Sequence, residues 1–216
     1  GPFANIAQGT NSIMGTDLAL RLADYVVTEA GFGFDLGAEK FFDIVAPYGG
    51  LNPRIVVLVA TVRALKYHAG VAREDLNAPN PRAAVLGMAN LRKHYGNIDK
   101  FNVPCIIALN RFPSDTDEEM RAVVEAAEQE GMNIAPADIF RLGGEGGLEL
   151  AEKTVRLIAA APGPFRTLYD WNQPVEDKIF TIASEIYGAV SIDYRPQAKR
   201  NLDLIRRFGF DKLPVC

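Results

Sequence analysis

Four stretches of this 216-residue chain combine residue types and spacings that could do chemistry. The first, Thr28-Glu29-Ala30-Gly31-Phe32-Gly33-Phe34-Asp35-Leu36-Gly37, brackets glycines with Glu29 and Asp35. Glycines let a backbone approach a ligand or metal closely, and they equally make a tight turn, here leading into a helix that holds Glu39 to Phe42. The second, Ala60 to His68, sets Arg63 and Lys66 on one helical face, either to hold an anion or as solvated surface charges. The third is Asn110-Arg111-Phe112-Pro113-Ser114-Asp115. Its acid lies too far beyond Asn110 for an Asn-Lys-x-Asp base-reading turn. Phe112 offers an aromatic face to a flat heterocycle, or fills a core slot. The fourth, Gly143-Gly144-Glu145-Gly146-Gly147, directly precedes a helical pattern, where free backbone N–H groups favour a phosphate or carboxylate. Gly143 and Gly144 are its leading anion-binding candidates.

Other chemistries lack their residues. The two histidines, His68 and His94, are too far apart in sequence to suggest a metal pair, and no Ser-His-Asp or Cys-His arrangement can be assembled. The two cysteines, Cys105 and Cys216, have neither zinc nor disulfide spacing, which fits a reducing, cytoplasmic setting. No Gly-x-x-x-x-Gly-Lys-Ser/Thr phosphate loop occurs in the sequence.

The elements that must position these stretches follow from hydrophobic pattern. Tyr25–Thr28, Ile55–Ala60 and Cys105–Leu109 are continuous β-branched or apolar runs, which is how strands buried on both faces of a parallel sheet read. Helical patterns lie between them: residues 12 to 23 behind Asn11 or Ser12 as cap, Ala83 to Tyr95, and Thr116 to Glu130. The last has capping-box spacing at Thr116 and Glu119 and a stop at Gly131. A further helix covers Leu148 to Ala160. Alternating strands and helices predict an α/β fold with a doubly wound, mostly parallel sheet, part of a core like that of phosphate-loop nucleoside triphosphatases. The Pro/Gly break at 159–164 divides the α/β core, 1–161, from 162–216, a helical part of a smaller α+β domain. There, helices are expected from Pro174 to Tyr187 and from Pro196 to Phe208, and Lys212-Leu213-Pro214-Val215 points into a strand.

Composition narrows the function classes. With 48% hydrophobic and 23% charged residues, wholesale disorder and disulfide-stapled miniproteins are excluded. No apolar run approaches the roughly 20 residues of a membrane span. A net charge of −4, with no strongly basic stretch, argues against a nucleic-acid platform. The start Gly1-Pro2-Phe3-Ala4 has neither an initiator Met nor a signal peptide's pattern, so the chain reads as a fragment.

Seven segments, taken in order, carry a family resemblance: Gly1-Pro2-Phe3-Ala4-Asn5-Ile6-Ala7-Gln8-Gly9, Val26 to Gly33, Asp35 to Phe42, Val59 to Lys66, Asn110-Arg111-Phe112, Gly143 to Gly147, and Phe208 to Pro214. With them the chain closely resembles formate–tetrahydrofolate ligases along its whole length, while lacking the phosphate loop that lies upstream in that family. The resemblance implies ATP-dependent formylation of tetrahydrofolate at N10 through formyl phosphate. ATP with Mg2+, formate and tetrahydrofolate are the implied substrates, with a monovalent cation as a further candidate ligand and a homo-oligomer as the assembly. It also implies that Phe112 and Phe140 sandwich the pterin, and it puts Gly1, Phe3, Asn5, Glu29, Asn110, Gly143 and Gly144 among the nucleotide- or anion-binding candidates. Three positions depart from the family pattern: Gln8 stands where His is usual, Phe34 where Ala is usual, and Phe140 where relatives carry Trp. Gln8 cannot titrate near neutrality, so it supplies no acid–base function there. A non-catalytic folate-binding or interaction module derived from the ligase is the competing class.

Overall fold

The computed structural model describes residues 8–10, 12–160 and 163–216. The candidates Gly1, Phe3 and Asn5 lie outside the described residues. By compactness the chain forms two units, one of residues 53–164 and one of residues 1–52 with 165–216. The sequence-based division, 1–161 and 162–216, shares only the boundary near Pro164 with this grouping.

The 53–164 unit is the α/β element. Its three parallel strands are β1 (Val56–Ala60), β2 (Cys105–Asn110) and β3 (Ile134–Ala137), in the order β1-β2-β3. Val56 pairs with Cys105, and Asn110 with Ala137. The central strand is the continuous apolar run, and Cys105, Ile106, Ile107, Ala108 and Leu109 are all buried, as both-face burial demands. β1 departs from that expectation, because Val57 and Val59 are exposed while Leu58 packs into the core.

One face of the sheet is covered by α1 (Val62–His68), α2 (Pro81–Leu86), α3 (Ala89–Asp99) and α4 (Asp117–Gln129). Leu65, Ala84, Leu91, Met120 and Val123 meet Ile107, Leu109 and Ile134 there in a single cluster. On β3 packs α5 (Leu148–Ala159), whose Lys153 Nζ donates to Ile134 O at 2.8 Å. At the amino ends of the strands, Tyr95 from α3 donates to Cys105 O (3.3 Å) and accepts from Asn133 N (3.1 Å), bridging β2 to the segment entering β3.

Three expectations change. Ile134–Ala137 is a strand that the pattern did not announce, because it is four residues long and contains Pro136. Tyr25–Thr28 forms no strand, and Tyr25 and Val27 are exposed. The single helix expected from Ala83 to Tyr95 is two helices, parted at Gly87. There the chain passes so close to α1 that a Cβ on Gly87 would lie 1.8 Å from Leu65 O.

The other unit, residues 1–52 with 165–216, is described by itself. It begins with helix α6 (Ile13–Leu22), which Ser12 Oγ caps by accepting from Gly15 N at 3.1 Å. Two π-helical turns, Phe34–Ala38 and Phe41–Val45, lead into the short helix α7 (Ala46–Gly49). Asp43 joins its distant segments, with Oδ1 accepting from Leu168 N at 2.7 Å and its backbone O from Trp171 Nε1 at 2.9 Å. Helices α8 (Val175–Glu185) and α9 (Pro196–Arg207) follow, with left-handed Gly188 and Gly209 beyond them. The tail forms no strand, and Val215 N donates instead to Tyr169 Oη at 3.1 Å. Among the described residues no helix is long and apolar enough to cross a membrane.

The close approach at Gly87 generates a paired prediction. Gly87 has φ −76°, which any residue adopts, so Gly87→Ala carries only the steric cost of meeting immobile backbone. It should destabilise by about 1–3 kcal/mol or more. Gly96, inside α3 with nothing within 4 Å of its virtual Cβ, is the control. Gly96→Ala should stabilise by about 0.5–1 kcal/mol. Urea midpoints of the two variants should move in opposite directions.

Candidate functional site

The carboxyl ends of parallel strands are where open α/β sheets gather ligands, and most of the candidates in the 53–164 unit lie at that edge. β2 ends at Asn110, and β3, its neighbour, ends at Ala137, the register partner of Asn110. The pairing extends one residue further, since Arg111 N donates to Ala137 O at 2.9 Å. Two residues beyond Asn110 stands Phe112, and three beyond Ala137 stands Phe140. Both rings are exposed, at 45% and 86%. Phe112 therefore does not fill a core slot.

The corner that carries Phe112 rests on a buried ion pair. Lys66 Nζ donates to Glu119 Oε1 at 2.8 Å, and neither side chain reaches solvent. The same ammonium donates to Ala78 O at 3.0 Å. Glu119 Oε1 also accepts from Asn80 N (2.8 Å), and Oε2 accepts from Thr116 N (2.9 Å) and Thr116 Oγ1 (2.8 Å). Thr116 caps α4 in the expected capping box, with Glu119 N donating back to Thr116 Oγ1 at 3.2 Å. One carboxylate thus receives four donors from three parts of the chain. Burial pushes the Glu119 carboxyl up, but the hydrogen bonds from Lys66, Thr116 and Asn80 outweigh it and hold the group at about 2. Both sequence readings of Lys66, as anion holder or as solvated charge, are thereby corrected: its ammonium is spent inside the fold. Arg63 stays at the surface, where Nη1 reaches Asn77 Oδ1 at 3.5 Å.

Past β3, a short helical turn, Ile139–Leu142, presents Phe140, and Arg141 pairs with Asp138 at 2.6 Å. Gly143 to Gly147 form a 3-10 turn that doubles back on the strand end. Asp138 N donates to Gly146 O at 3.0 Å, and a Cβ on Gly146 would lie 2.3 Å from Asp138 O, so only glycine fits. The Gly143 amide donates to Ile139 O, which removes it from the free N–H groups available to an anion. Gly144 has open space around its virtual Cβ.

The remaining candidates belong to the other unit. Glu29 is exposed in an irregular segment, next to Ala30, which forms an isolated antiparallel bridge with Gln8. Phe34 is buried against Phe42, ring centroids 6.1 Å apart, so its bulk is absorbed by packing. Sequence reasoning passed over Glu39 and Asp43 there. Both are buried, and burial with their mutual proximity pushes the Glu39 carboxyl up to about 8. Their i,i+4 spacing inside an apolar helical stretch is the signal that could have found them. Among the described residues no group of three or more His, Cys, Asp or Glu could hold a metal ion.

Comparison with known proteins adds the context. The family model described as formate–tetrahydrofolate ligase matches residues 1–216. A curated protein named formate–tetrahydrofolate ligase from Syntrophus aciditrophicus (strain SB) is 83% identical over 216 residues, covering 100% of this chain. The chain spans 38% of that relative's length.

Lys66→Met leaves the Glu119 carboxylate buried without its counter-ion and should cost about 3–5 kcal/mol at neutral pH. The sign with pH follows from the low native value. Glu119 stabilises the fold fully above its ordinary value of 4.5, and that contribution is lost as pH falls toward about 2. Without Lys66 the native value rises, so less of this stability remains at any pH. Urea unfolding between pH 2 and 7 should show a shallower acid-side slope for Lys66→Met than for the parent.

Proposed function

Because this chain belongs to the formate–tetrahydrofolate ligase family, we propose that the protein carrying it joins formate to tetrahydrofolate at the expense of ATP. In this reading a formate oxygen attacks the γ-phosphorus of ATP and ADP leaves. The N10 amine of the folate then attacks the formyl carbon of the resulting formyl phosphate, expelling phosphate and losing its proton. Phosphoryl transfer of this kind asks a protein mainly for positioning and charge neutralisation.

Of those tasks, folate positioning is the one this segment's residues suit. The observation that supports it is the pair of exposed aromatics, Phe112 and Phe140, on the loops that leave adjacent parallel strands at one sheet edge. A flat pterin gains from rings on its faces. Phe140 supplies less stacking area than a Trp would. Nucleotide contacts are proposed for Asn110 and Gly144 at the same edge; Glu29 is a separate nucleotide- or anion-binding candidate within its own unit. Phosphate and Mg2+ binding are assigned to residues outside these 216. The proposed setting is cytoplasmic one-carbon metabolism, in keeping with two free cysteines, Cys105 buried and Cys216 exposed. The proposed partners are the small substrates, a monovalent cation and further copies of the same protein, with no nucleic acid and no membrane.

In the full-length protein, Phe112→Ala and Phe140→Ala should each raise the tetrahydrofolate KM several-fold. Stacking is worth about 0.5–1.5 kcal/mol beyond area burial, and 1.4 kcal/mol is tenfold. ATP and formate constants should stay within about twofold. Unchanged folate saturation in both correctly folded variants would sink the platform reading. Conversely, the 216-residue chain alone should produce no formyltetrahydrofolate from ATP, Mg2+, formate and tetrahydrofolate. Losing a single preorganised donor already costs on the order of 10²- to 10³-fold in rate. Turnover of about 1 s⁻¹ or more by the isolated chain would contradict that assignment.

A further inference from the structure

Phe112 stands on a turn with its own clasp. Phe112 N donates to Asp115 Oδ2 at 2.8 Å, and Asp115 N donates back to Phe112 O at 2.9 Å. Arg111 Nη2 spans the same turn, reaching Asp115 O at 3.4 Å and Asp117 Oδ1 at 2.6 Å. Asp115 is 5% exposed, although it sits on a surface corner beside an exposed ring. A carboxylate is withdrawn from water at a cost, and a structure keeps it there when its bonds give something back. Burial raises the Asp115 carboxyl, and the Phe112 amide works against that rise. The next residue, Thr116, is held through both N and Oγ1 by Glu119, which is held in turn by Lys66. The clasp therefore has a rigid foundation one residue away, while the ring it carries faces solvent.

An aromatic platform binds best when its backbone is already ordered, since a loose loop must be immobilised by the ligand itself. We propose that Asp115 is a positioning residue for tetrahydrofolate, its carboxylate fixing the Phe112 main chain so that the ring meets the pterin without reorganisation. The inference rests on the reading of Phe112 as a folate platform. It assigns to Asp115 no contact with substrate. The acid that lies too far from Asn110 to read a base has a local purpose in this turn.

The test is a double-mutant cycle in the full-length protein, following KM and kcat for each substrate in Asp115→Ala, Phe112→Ala and the double variant. Asp115→Ala should raise the folate KM roughly three- to tenfold, with kcat and the ATP and formate constants within about twofold. In the Phe112→Ala background the same change should have no further effect, because a residue acting through the ring has nothing left to act on. Asp115→Asn keeps an acceptor for the Phe112 amide and should restore the folate constant to within about twofold of the parent. Should alanine unfold the corner, Asp115→Ser, a weaker acceptor at the same turn, replaces it in the cycle. Additive effects, or a folate constant unmoved by Asp115→Ala while Phe112→Ala raises it, would overturn the inference alone. A folate constant unmoved by Phe112→Ala would overturn the platform reading, and the inference with it.

Discussion

A single ion pair sealed from water, Lys66 with Glu119, holds three chain segments together beside the carboxyl ends of the strands. Such pairs repay their desolvation only when the remaining donors and acceptors are satisfied. Here that condition is met by main-chain groups. The ammonium also takes Ala78 O, and the carboxylate takes Asn80 N and Thr116 N. Because those partners are backbone, the pair fixes where the chain goes. Asn80 N belongs to the residue that caps α2, whose side chain accepts from Ala83 N at 3.0 Å, and Thr116 caps α4. Two helix starts and one strand corner share the same anchor.

The parts of this arrangement that are local in sequence were legible, and those that join distant residues were not. The Thr116–Glu119 capping box could be read from spacing, because both partners lie within one turn. Glu119's other oxygen, Oε1, engages Lys66 across 53 positions, and no periodicity records that. Seen alone, Lys66 shares a helical face with Arg63 and looks like surface charge. β2 was legible because a central parallel strand must be apolar on both faces. Tyr25–Thr28 misled for the complementary reason: β propensity reports how well side chains fit a pleated, half-buried surface, and Tyr25 and Val27 are exposed. The break at Gly87 was hidden because the obstacle, Leu65 O, belongs to another helix.

The candidate site divides in the same way. Phe112 could be read from its corner as an aromatic face, Phe140 and its pairing with Phe112 came from family resemblance, and what the fold adds is that the two follow register-paired strand ends, a relation invisible in linear sequence. The glycine turn was read as a source of free amides, yet its first amide completes the preceding helical turn and Gly146 exists for close backbone approach. Glycine content alone does not distinguish a ligand cradle from a chain crossing.

The two compact units differ in continuity along the chain. Residues 53–164 form one uninterrupted stretch, and among its described residues the strands pair in sequence order. The other unit needs residues 1–52 and 165–216 together, and its Asp43–Leu168 and Asp43–Trp171 bonds span the whole inserted stretch. On a ribosome, where chains emerge amino end first at about 5–20 residues per second, the uninterrupted unit can close while its successor is still being made. The interrupted one must keep its opening half waiting, with Phe42 and Val45 lacking their later neighbour Phe165, for the several seconds to tens of seconds that the insertion takes to emerge. That interval, more than any difference in final stability, leaves the segment that holds Phe42 and Val45 open to chaperones and proteases for longer than the uninterrupted unit beside it in sequence.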